Sequence, residues 1–461
     1  MAQRAVSTLM TTATMIPSIR RTLLVLLVLA GALLRYGVVA PQDPLALYTQ
    51  GGGDTAWYLA NGEGLLSGKP HGYTTFGVPF YAEVVPTPPL YLLFVGLPQY
   101  LFSYADAVRA LWLAQIALNL ASVLGLAWLA WRISGRGGAF WLVAVALTVD
   151  PSMVLMPSQL LTETLYLALV VLGLVCYVRA QDAPSRWAFA LCGLVWGLAT
   201  LTRAVALLFP LVLALHALII AGKPNWRKVG ANVALMLVFY GATVSTWTLH
   251  NLQYGRLVIA SNQFMPAVWR GAVTTDGSPQ ENDAQLLRPE DIPDDCERDC
   301  GVQVPTQRLV EQTRTAILSD VGGYLRLRLS ELAGAILQPE MTTTLGGESL
   351  RALIGAWWND NRTWDGFLRL LNGDNFWLKG AIYVFHFGGM GLGLLGLWRG
   401  RAAWRMSLVP FGFIAYTTLM HVVMLALPRY LMPALMCYWT VVPLAVFGRV
   451  SHPRPTTSEA V

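Results

Sequence analysis

The chain has 461 residues, of which 55% are hydrophobic and only 13% are charged. Because a soluble domain usually has about 25% charged residues, this composition excludes an ordinary globular protein, a disordered chain and a small disulfide scaffold. Long unbroken apolar runs favour helices over a β-barrel, whose strands alternate apolar and polar residues. The sequence therefore predicts an all-α polytopic membrane protein. The net charge of +6 fits cytoplasmic anchor charges, and we expect no nucleic-acid partner.

About 20 apolar residues cross a hydrocarbon core of about 30 Å. The run 187–221 would be roughly 50 Å long as one helix, so we divide it at Arg203, where polarity interrupts it. The sequence then predicts ten spans, which lie within the runs 22–40, 109–131, 139–160, 162–179, 187–221 (two spans), 229–249, 377–398, 406–426 and 430–448.

The short segment 88–103 decides the orientation of every later span. If it does not cross the membrane, most arginines and lysines near span ends fall on one side, opposed there only by Asp182 and Glu459. The positive-inside rule makes that side cytoplasmic. We therefore place 88–103 on the outer face of a multi-pass plasma-membrane protein with both termini in the cytoplasm.

This topology divides the chain into five parts. They are a cytoplasmic tail (1–21), an N-terminal transmembrane core (22–249) with a first outer loop (41–108), an extracytoplasmic region (250–376), the last spans (377–448) and a second tail (449–461). Within the extracytoplasmic region, the stretch 319–338 alternates basic and apolar residues at helical spacing and is typical of an interfacial amphipathic helix.

The five cysteines fall into two groups. Cys296 and Cys300 lie in the outer region as a C-x3-C pair, for which a disulfide, free thiols and a metal site all stay open. The others are expected to pack within spans and are Cys176, Cys192 and Cys437.

Three carboxylates fall on the predicted outer face. Asp54 follows three glycines at the start of a predicted helix over 54–66, where an N-cap is the structural alternative. Glu83 precedes a proline-rich segment and can equally be a solvated loop carboxylate. Glu163 lies between two apolar runs, where a carboxylate is costly and indicates function, although helix capping competes with that interpretation.

Basic and polar residues fall on the same face. Arg203 interrupts a long apolar stretch, and Arg429 with Tyr430 begins the last span. His250 and Asn251 end the seventh span. Single residues of these types are usually interfacial anchors, but their convergence with three carboxylates suits a lipid-linked phosphate substrate. A carboxylate would act as general base, while the arginines, or a divalent ion held by carboxylates, would stabilise the departing phosphate.

The order and spacing of these motifs resemble the GT-C integral membrane glycosyltransferases, in the branch similar to bacterial protein O-mannosyltransferases and aminoarabinose transferases. Six short segments carry the resemblance along nearly the whole chain: Gly53-Asp54-Thr55-Ala56-Trp57-Tyr58-Leu59-Ala60, Thr87-Pro88-Pro89-Leu90-Tyr91, Leu161-Thr162-Glu163-Thr164-Leu165, Gly197-Leu198-Ala199-Thr200-Leu201-Thr202-Arg203, His250-Asn251 with Gly255-Arg256-Leu257, and Arg429-Tyr430-Leu431-Met432-Pro433.

The resemblance implies a polyprenyl-phosphate-sugar donor and transfer on the extracytoplasmic side. It implies that Asp54 is the catalytic aspartate, Glu163 the second acidic catalytic position, and Glu83 a carboxylate that joins a metal site in some members. His250 stands where the family usually has arginine, so a phosphate-binding role and a metal-ligand role both stay open there. The candidate metal ligands are accordingly Glu83, Glu163 and His250, and the need for a divalent metal ion stays open.

The leading prediction is a glycosyltransferase that moves a sugar, with inversion, to a glycan, lipid or protein acceptor. A transporter or flippase of lipid-linked glycans is one alternative, although its ionisable residues should lie near the bilayer midplane. A glycan polymerase or ligase is another. The enzyme interpretation predicts that Asp54, Glu163 and Arg429 line one cavity near the outer leaflet.

Overall fold

The computed structural model describes residues 17–49, 54–67, 72–73, 79–80, 87–253, 257–261, 263–273, 305–359, 362–401 and 404–448. Within these ranges the chain is almost entirely helical, and the one strand pairing joins Gly72–Tyr73 to Pro79–Phe80 in an antiparallel ladder (β1 and β2). The predicted all-α polytopic class is confirmed at this level.

The first half of the chain forms ten helices in sequence order. They are α1 (Pro17–Val39), α2 (Ala46–Thr49), α3 (Asp54–Ser67), α4 (Pro89–Leu101), α5 (Tyr104–Ser134), α6 (Gly137–Val149), α7 (Pro151–Leu155, followed by a 3-10 turn at Met156–Ser158), α8 (Thr162–Asp182), α9 (Arg186–Thr202) and α10 (Phe209–Leu252, preceded by a 3-10 turn at Ala204–Ala206). Helix α10 is kinked at Gly222, whose φ of 67° is the left-handed conformation that glycine adopts readily.

The second half begins with shorter helices and ends with three spans. They are α11 (Phe264–Val273), α12 (Thr306–Ser319), α13 (Val321–Leu337), α14 (Met341–Thr344), α15 (Leu350–Asn359), α16 (Trp364–Leu371), α17 (Phe376–Arg399), α18 (Trp404–Val423), α19 (Pro428–Leu435, followed by a 3-10 turn at Met436–Thr440) and α20 (Val442–Phe447).

Eight described helical segments are long and apolar enough to cross a membrane: Ser18–Val39, Tyr104–Ser134, Thr162–Asp182, Ala204–Gly222, Asn225–Leu252, Phe376–Arg399, Trp404–Val423 and Pro428–Phe447. Helices α6 and α7 are together long and apolar enough to cross, but they are bent by 58° at Asp150, as in a broken span or a re-entrant loop. The remaining predicted span, the fifth in chain order, corresponds to α9, a shorter apolar helix of 17 residues that is not among these eight.

Helix α4 is the predicted outer segment 88–103. Its 13 residues reach about 20 Å, which is too short to cross the membrane. It packs on α3, where the backbones cross so closely at Gly62 and Gly96 that a Cβ on Gly96 would collide with the Gly62 carbonyl. Tyr91, Leu92 and Val95 of α4 are fully buried. Helix α4 therefore supports α3, the helix that carries Asp54.

The ends of the spans sort into two sets. At one end, Arg132 of α5 forms an ion pair with Asp182 of α8 at 2.5 Å, and Arg399 of α17 donates to the Ala445 carbonyl. Asp54, Glu163, Arg203 and Arg429 lie at the opposite ends of their helices. This sorting follows the predicted order of crossings.

The stretch 319–338, predicted as an interfacial helix, forms α13. Its Arg328 is buried at 2% exposure and donates to the Met424 carbonyl at 2.6 Å. The helix therefore packs against the segment between α18 and α19 and leaves Leu325 and Leu329 exposed.

The predicted packing cysteines Cys176, Cys192 and Cys437 are buried free thiols. Cys296 and Cys300 lie outside the described residues, so their state stays a prediction.

Candidate functional site

The first turns of α3 and α19 meet through an ion pair. Asp54, the first residue of α3, places Oδ2 at 2.5 Å from Nη2 of Arg429. Pro428 precedes Arg429 at the first helical position, where its missing N–H costs nothing. The Asp54 side chain is 46% exposed and that of Arg429 is 26% exposed, so this pair remains open to solvent and to a ligand.

A second, more buried ion pair joins α8 to the end of α9. Arg203 Nη1 lies 2.7 Å from Glu163 Oε1, with side-chain exposures of 13% and 8%. Arg203 has an extended backbone because it separates α9 from the following 3-10 turn. Glu163 lies in the first turn of α8, where the helix dipole also stabilises the negative charge of a carboxylate. The break at Arg203 therefore turns its guanidinium toward Glu163.

Tyr430 connects the two pairs. The guanidinium carbons of Arg203 and Arg429 lie 5.0 and 5.1 Å from the centre of its ring. Both distances are within the range of a cation–π contact. Arg203 also lies 5.6 Å from the ring of Tyr166. We call Asp54, Glu163, Arg203, Arg429 and Tyr430 the charged cluster.

Tyr58 lies one helical turn after Asp54, and the charges of the cluster affect the pKa of its phenol. Burial, and then the nearby carboxylates of Glu163 and Asp54, raise the pKa of its phenol, while Arg203 and Arg429 oppose that shift. Its ring packs edge-on against Tyr91 of α4 at 4.9 Å. Tyr58 therefore stays a neutral phenol beside the two carboxylates.

Arg429 keeps an unused hydrogen-bond donor. Its Nε is buried and has no hydrogen-bond partner among the residues that the structure describes. The hydroxyl of Tyr166 is in the same condition within the described ranges. Because buried polar groups in proteins nearly always have partners, these two groups are suited to a polar ligand. The donor chemistry of Arg429 selects an anion with several oxygens, such as a phosphate.

His250 and Asn251 are held at the end of α10. The His250 ring stacks on Trp247 with 4.8 Å between ring centres, and Asn251 Nδ2 donates to the Trp247 carbonyl at 2.8 Å. These contacts fix both residues to their own helix and do not link them to the charged cluster. Their predicted binding roles stay predictions.

Two of the three predicted metal ligands, Glu163 and His250, lie within the described residues. Glu83 lies outside the described residues, and Glu163 already faces the cation Arg203. Among the ranges that the structure describes, no three histidine, cysteine, aspartate or glutamate side chains are close enough to hold a metal ion. The described residues offer two arginines for an anion, and the metal-ligand roles of Glu83, Glu163 and His250 stay predictions.

His421 is a further residue of this region that the sequence analysis did not single out. It is buried within α18, and its Nδ1 donates to the Thr417 carbonyl at 2.8 Å. Its ring lies 5.6 Å from that of Tyr430, which itself supports both arginines. The sequence did contain a signal for His421, because an ionisable residue inside an apolar span indicates function by default.

Side chains of α13 hold the segment that leads into Arg429. Arg328 donates to the Met424 carbonyl at 2.6 Å. Arg328 and Glu331 also form an ion pair at 2.7 Å. Gly271 of α11 packs on this junction, because a Cβ there would lie 2.6 Å from Arg328 Nη1. Helices α11 and α13 therefore fix where α19 begins.

A small depression lies at Pro428, the residue before Arg429. Its polar lining comes from Ser152, Gln338, Glu340 and His386, and its apolar lining includes Met432. Asp54, Glu163 and Arg429 do not line it. This depression therefore does not meet the prediction of one cavity lined by those three residues, which contact partners within the cluster directly.

No protein-family model matches the chain, and a search of curated proteins finds no match. The resemblance to GT-C glycosyltransferases therefore depends on the short motifs quoted above.

Proposed function

We propose that this protein is a membrane glycosyltransferase of GT-C type. It moves a sugar from a polyprenyl-phosphate-linked donor to a glycan, lipid or protein acceptor on the extracytoplasmic side of the plasma membrane. The observation that carries the proposal is the charged cluster, in which two arginines and two carboxylates from four separate helices meet at one end of the transmembrane bundle.

The arginines are suited to the donor's phosphate. Arg429 is partly exposed, and its Nε lacks a partner among the described residues. The guanidinium of Arg203 also contacts the Tyr430 ring and so belongs to the same cluster. Together they offer ten N–H donors at about five per guanidinium, of which the two carboxylates use a minority. A phosphate at this position would leave its polyprenyl chain in the adjacent lipid.

Asp54 is the carboxylate best placed to act as general base. It is far more exposed than Glu163, at 46% against 8%, so an acceptor hydroxyl can reach it. Glu163 is enclosed with Arg203 and orients that guanidinium. The two carboxylates therefore have different roles, set by their different burial.

The reaction is a single displacement at the anomeric carbon. The acceptor oxygen forms a bond to that carbon while its proton passes to the Asp54 carboxylate. The bond between the anomeric carbon and the phosphate oxygen breaks, and its electron pair leaves with polyprenyl phosphate. The arginines stabilise the charge that develops on the leaving phosphate. One displacement inverts the configuration of the sugar.

The decisive experiment reconstitutes the purified protein in lipid nanodiscs with a panel of synthetic polyprenyl-phosphate sugars and acceptors. The proposal expects polyprenyl phosphate and a glycosylated product in equal amounts from at least one donor. The product should be lost in Arg429→Ala and kept in the matched surface variant Arg109→Ala, whose ion pair with Asp106 is 62% and 60% exposed.

A flippase would give a different result. In sealed vesicles it would move an intact fluorescent lipid-linked glycan between leaflets and release no polyprenyl phosphate. That outcome, with no transfer from any donor in the panel, would replace the glycosyltransferase proposal with a transporter.

A further inference from the structure

Helices α15 and α16 form a hairpin with an inner face, on which the two helices pack, and an exposed face. On the inner face, the half-buried Trp357 packs on Phe367 with 5.5 Å between ring centres and donates from Nε1 to the Thr363 carbonyl. Gly366 lies directly against the Trp357 ring. These contacts close the hairpin on itself and fix which side chains point away from it.

The exposed face carries large apolar side chains at helical spacing. Ile354 and Trp358 of α15 are 45% and 53% exposed, and Trp364 and Leu368 of α16 are 69% and 41% exposed. Each pair is four residues apart and therefore forms a stripe along its helix. Exposed apolar patches of this kind indicate a partner surface.

Both ends of the hairpin are tied to the first turn of α17. Before the hairpin, the buried Lys379 of α17 donates from Nζ to the carbonyls of Gly346 and Glu348, at 2.9 Å each. After it, only four residues separate Leu371 from Phe376, where α17 begins. Lys379 lies about 4.5 Å along α17 from Phe376, so the hairpin is held at the level where this span begins.

That level is the edge of the membrane. Helix α17 has 24 residues and is about 36 Å long, which exceeds the hydrocarbon core of about 30 Å and brings its first turn to the interface. Trp377 in this turn is 69% exposed. Tryptophan is the residue that is typical of this depth.

We propose that the exposed face of the α15–α16 hairpin is a lipid-binding surface that inserts Trp358 and Trp364 into the interface of the leaflet where α17 begins. The occupant is lipid because the hairpin is held at the edge of the membrane, where the first turn of α17 also exposes Trp377. The exposed Arg362 stacks with its guanidinium carbon 3.6 Å from the centre of the Trp358 ring, which places a cation beside the stripe at the depth of lipid phosphates.

Spin-label accessibility in nanodiscs tests this surface in the full-length chain. Single cysteines replace Trp358, Trp364 or, as less disruptive changes on the same face, Ile354 and Leu368, in a background with Cys296→Ser and Cys300→Ser. Ala352→Cys, an exposed position on the opposite side of α15 from Ile354, is the matched control.

We expect labels on the stripe to collide readily with oxygen and several-fold less often with a water-soluble nickel chelate than the label at position 352. Frequent collision with the nickel chelate on the stripe would show a surface open to water and overturn the proposal. Protection from both oxygen and nickel would show a protein partner or a second copy in place of lipid, and would also overturn it.

Discussion

The Arg429 guanidinium contacts the Asp54 carboxylate at 2.5 Å, which joins the beginning of α19 to the beginning of α3. The two side chains contact each other directly. The pair brings the first outer segment of the chain against its last span. Its partial exposure makes each partner available to a substrate, and the predictions below depend on this arrangement.

Removal of either arginine should weaken donor binding. A charge-assisted hydrogen bond contributes about 1.5–3 kcal/mol, and about 1.4 kcal/mol is a factor of ten in affinity. Arg203→Ala and Arg429→Ala should therefore each raise the donor Kd by roughly ten-fold or more, as measured by titration with a polyprenyl-phosphate sugar.

Two controls separate binding from folding in that experiment. Arg109→Ala removes an exposed arginine at the same end of the bundle and should leave the donor Kd unchanged. Arg203→Lys keeps the charge opposite Glu163 and should fold while losing the planar guanidinium. Unchanged donor affinity in both alanine variants, with folded protein, would remove the phosphate-binding role.

The two ion pairs should differ in their contribution to stability. Glu163 and Arg203 are 8% and 13% exposed, and loss of one partner of a buried pair costs about 3–5 kcal/mol. Asp54 and Arg429 are more exposed, and such pairs contribute about 0–1 kcal/mol. Glu163→Gln should therefore lower the melting temperature clearly, and Asp54→Asn should lower it little. Equal effects of the two changes would contradict the assigned burial.

The α3–α4 crossing should tolerate no side chain at Gly96. A Cβ there collides with the Gly62 backbone, and overpacking of a close contact typically costs about 1–3 kcal/mol. Gly96→Ala should reduce the melting temperature and, because α3 carries Asp54, also reduce turnover. Gly37→Ala is the matched control, since a Cβ at Gly37 meets no atom within 4 Å. Equal melting temperatures of the two variants would show that the crossing is looser than described.

Arg328 should affect donor binding without touching the donor. Arg328 donates a hydrogen bond to the carbonyl of Met424, which lies a few residues before Arg429. Arg328→Met removes this hydrogen bond, so the start of α19 should shift and the donor Kd should rise several-fold. Arg328→Lys keeps a hydrogen-bond donor for the Met424 carbonyl, so we expect it to restore the donor Kd in part. The exposed Arg326 of the same helix provides the control as Arg326→Met. An unchanged donor Kd in a folded Arg328→Met protein would remove this positioning role.

Apolar run length predicted eight of the ten expected spans as long apolar helices, because a hydrocarbon core imposes one length on every helix. The bend at Asp150 was not predicted. This residue is buried and caps α7 by accepting from the Ser152 and Met153 N–H groups, and a break of this kind depends on local capping inside an apolar run. The short helix α9 was delimited from the sequence because Arg203 marks its end.

The site was predictable as a set of residues and not as a set of contacts. Asp54, Glu163, Arg203 and Arg429 stood out because charges beside apolar runs are costly. Which carboxylate faces which arginine depends on how α3, α8, α9 and α19 pack, and no local pattern contains that information. The burial of Arg328 was missed for the same reason, since the alternation around it is equally typical of a solvated helix face.

The most direct test of the central claim is the turnover of Asp54→Asn beside that of Asp106→Asn. Asn keeps the shape of Asp and caps a helix about as well, but it cannot take a proton from the acceptor. Positioned acid–base catalysis typically supplies about 10²–10⁴-fold. The account predicts a loss of turnover in that range for Asp54→Asn, with donor affinity and melting temperature nearly unchanged, and normal turnover for Asp106→Asn. Near-normal turnover of Asp54→Asn would contradict the assignment of Asp54 as the general base.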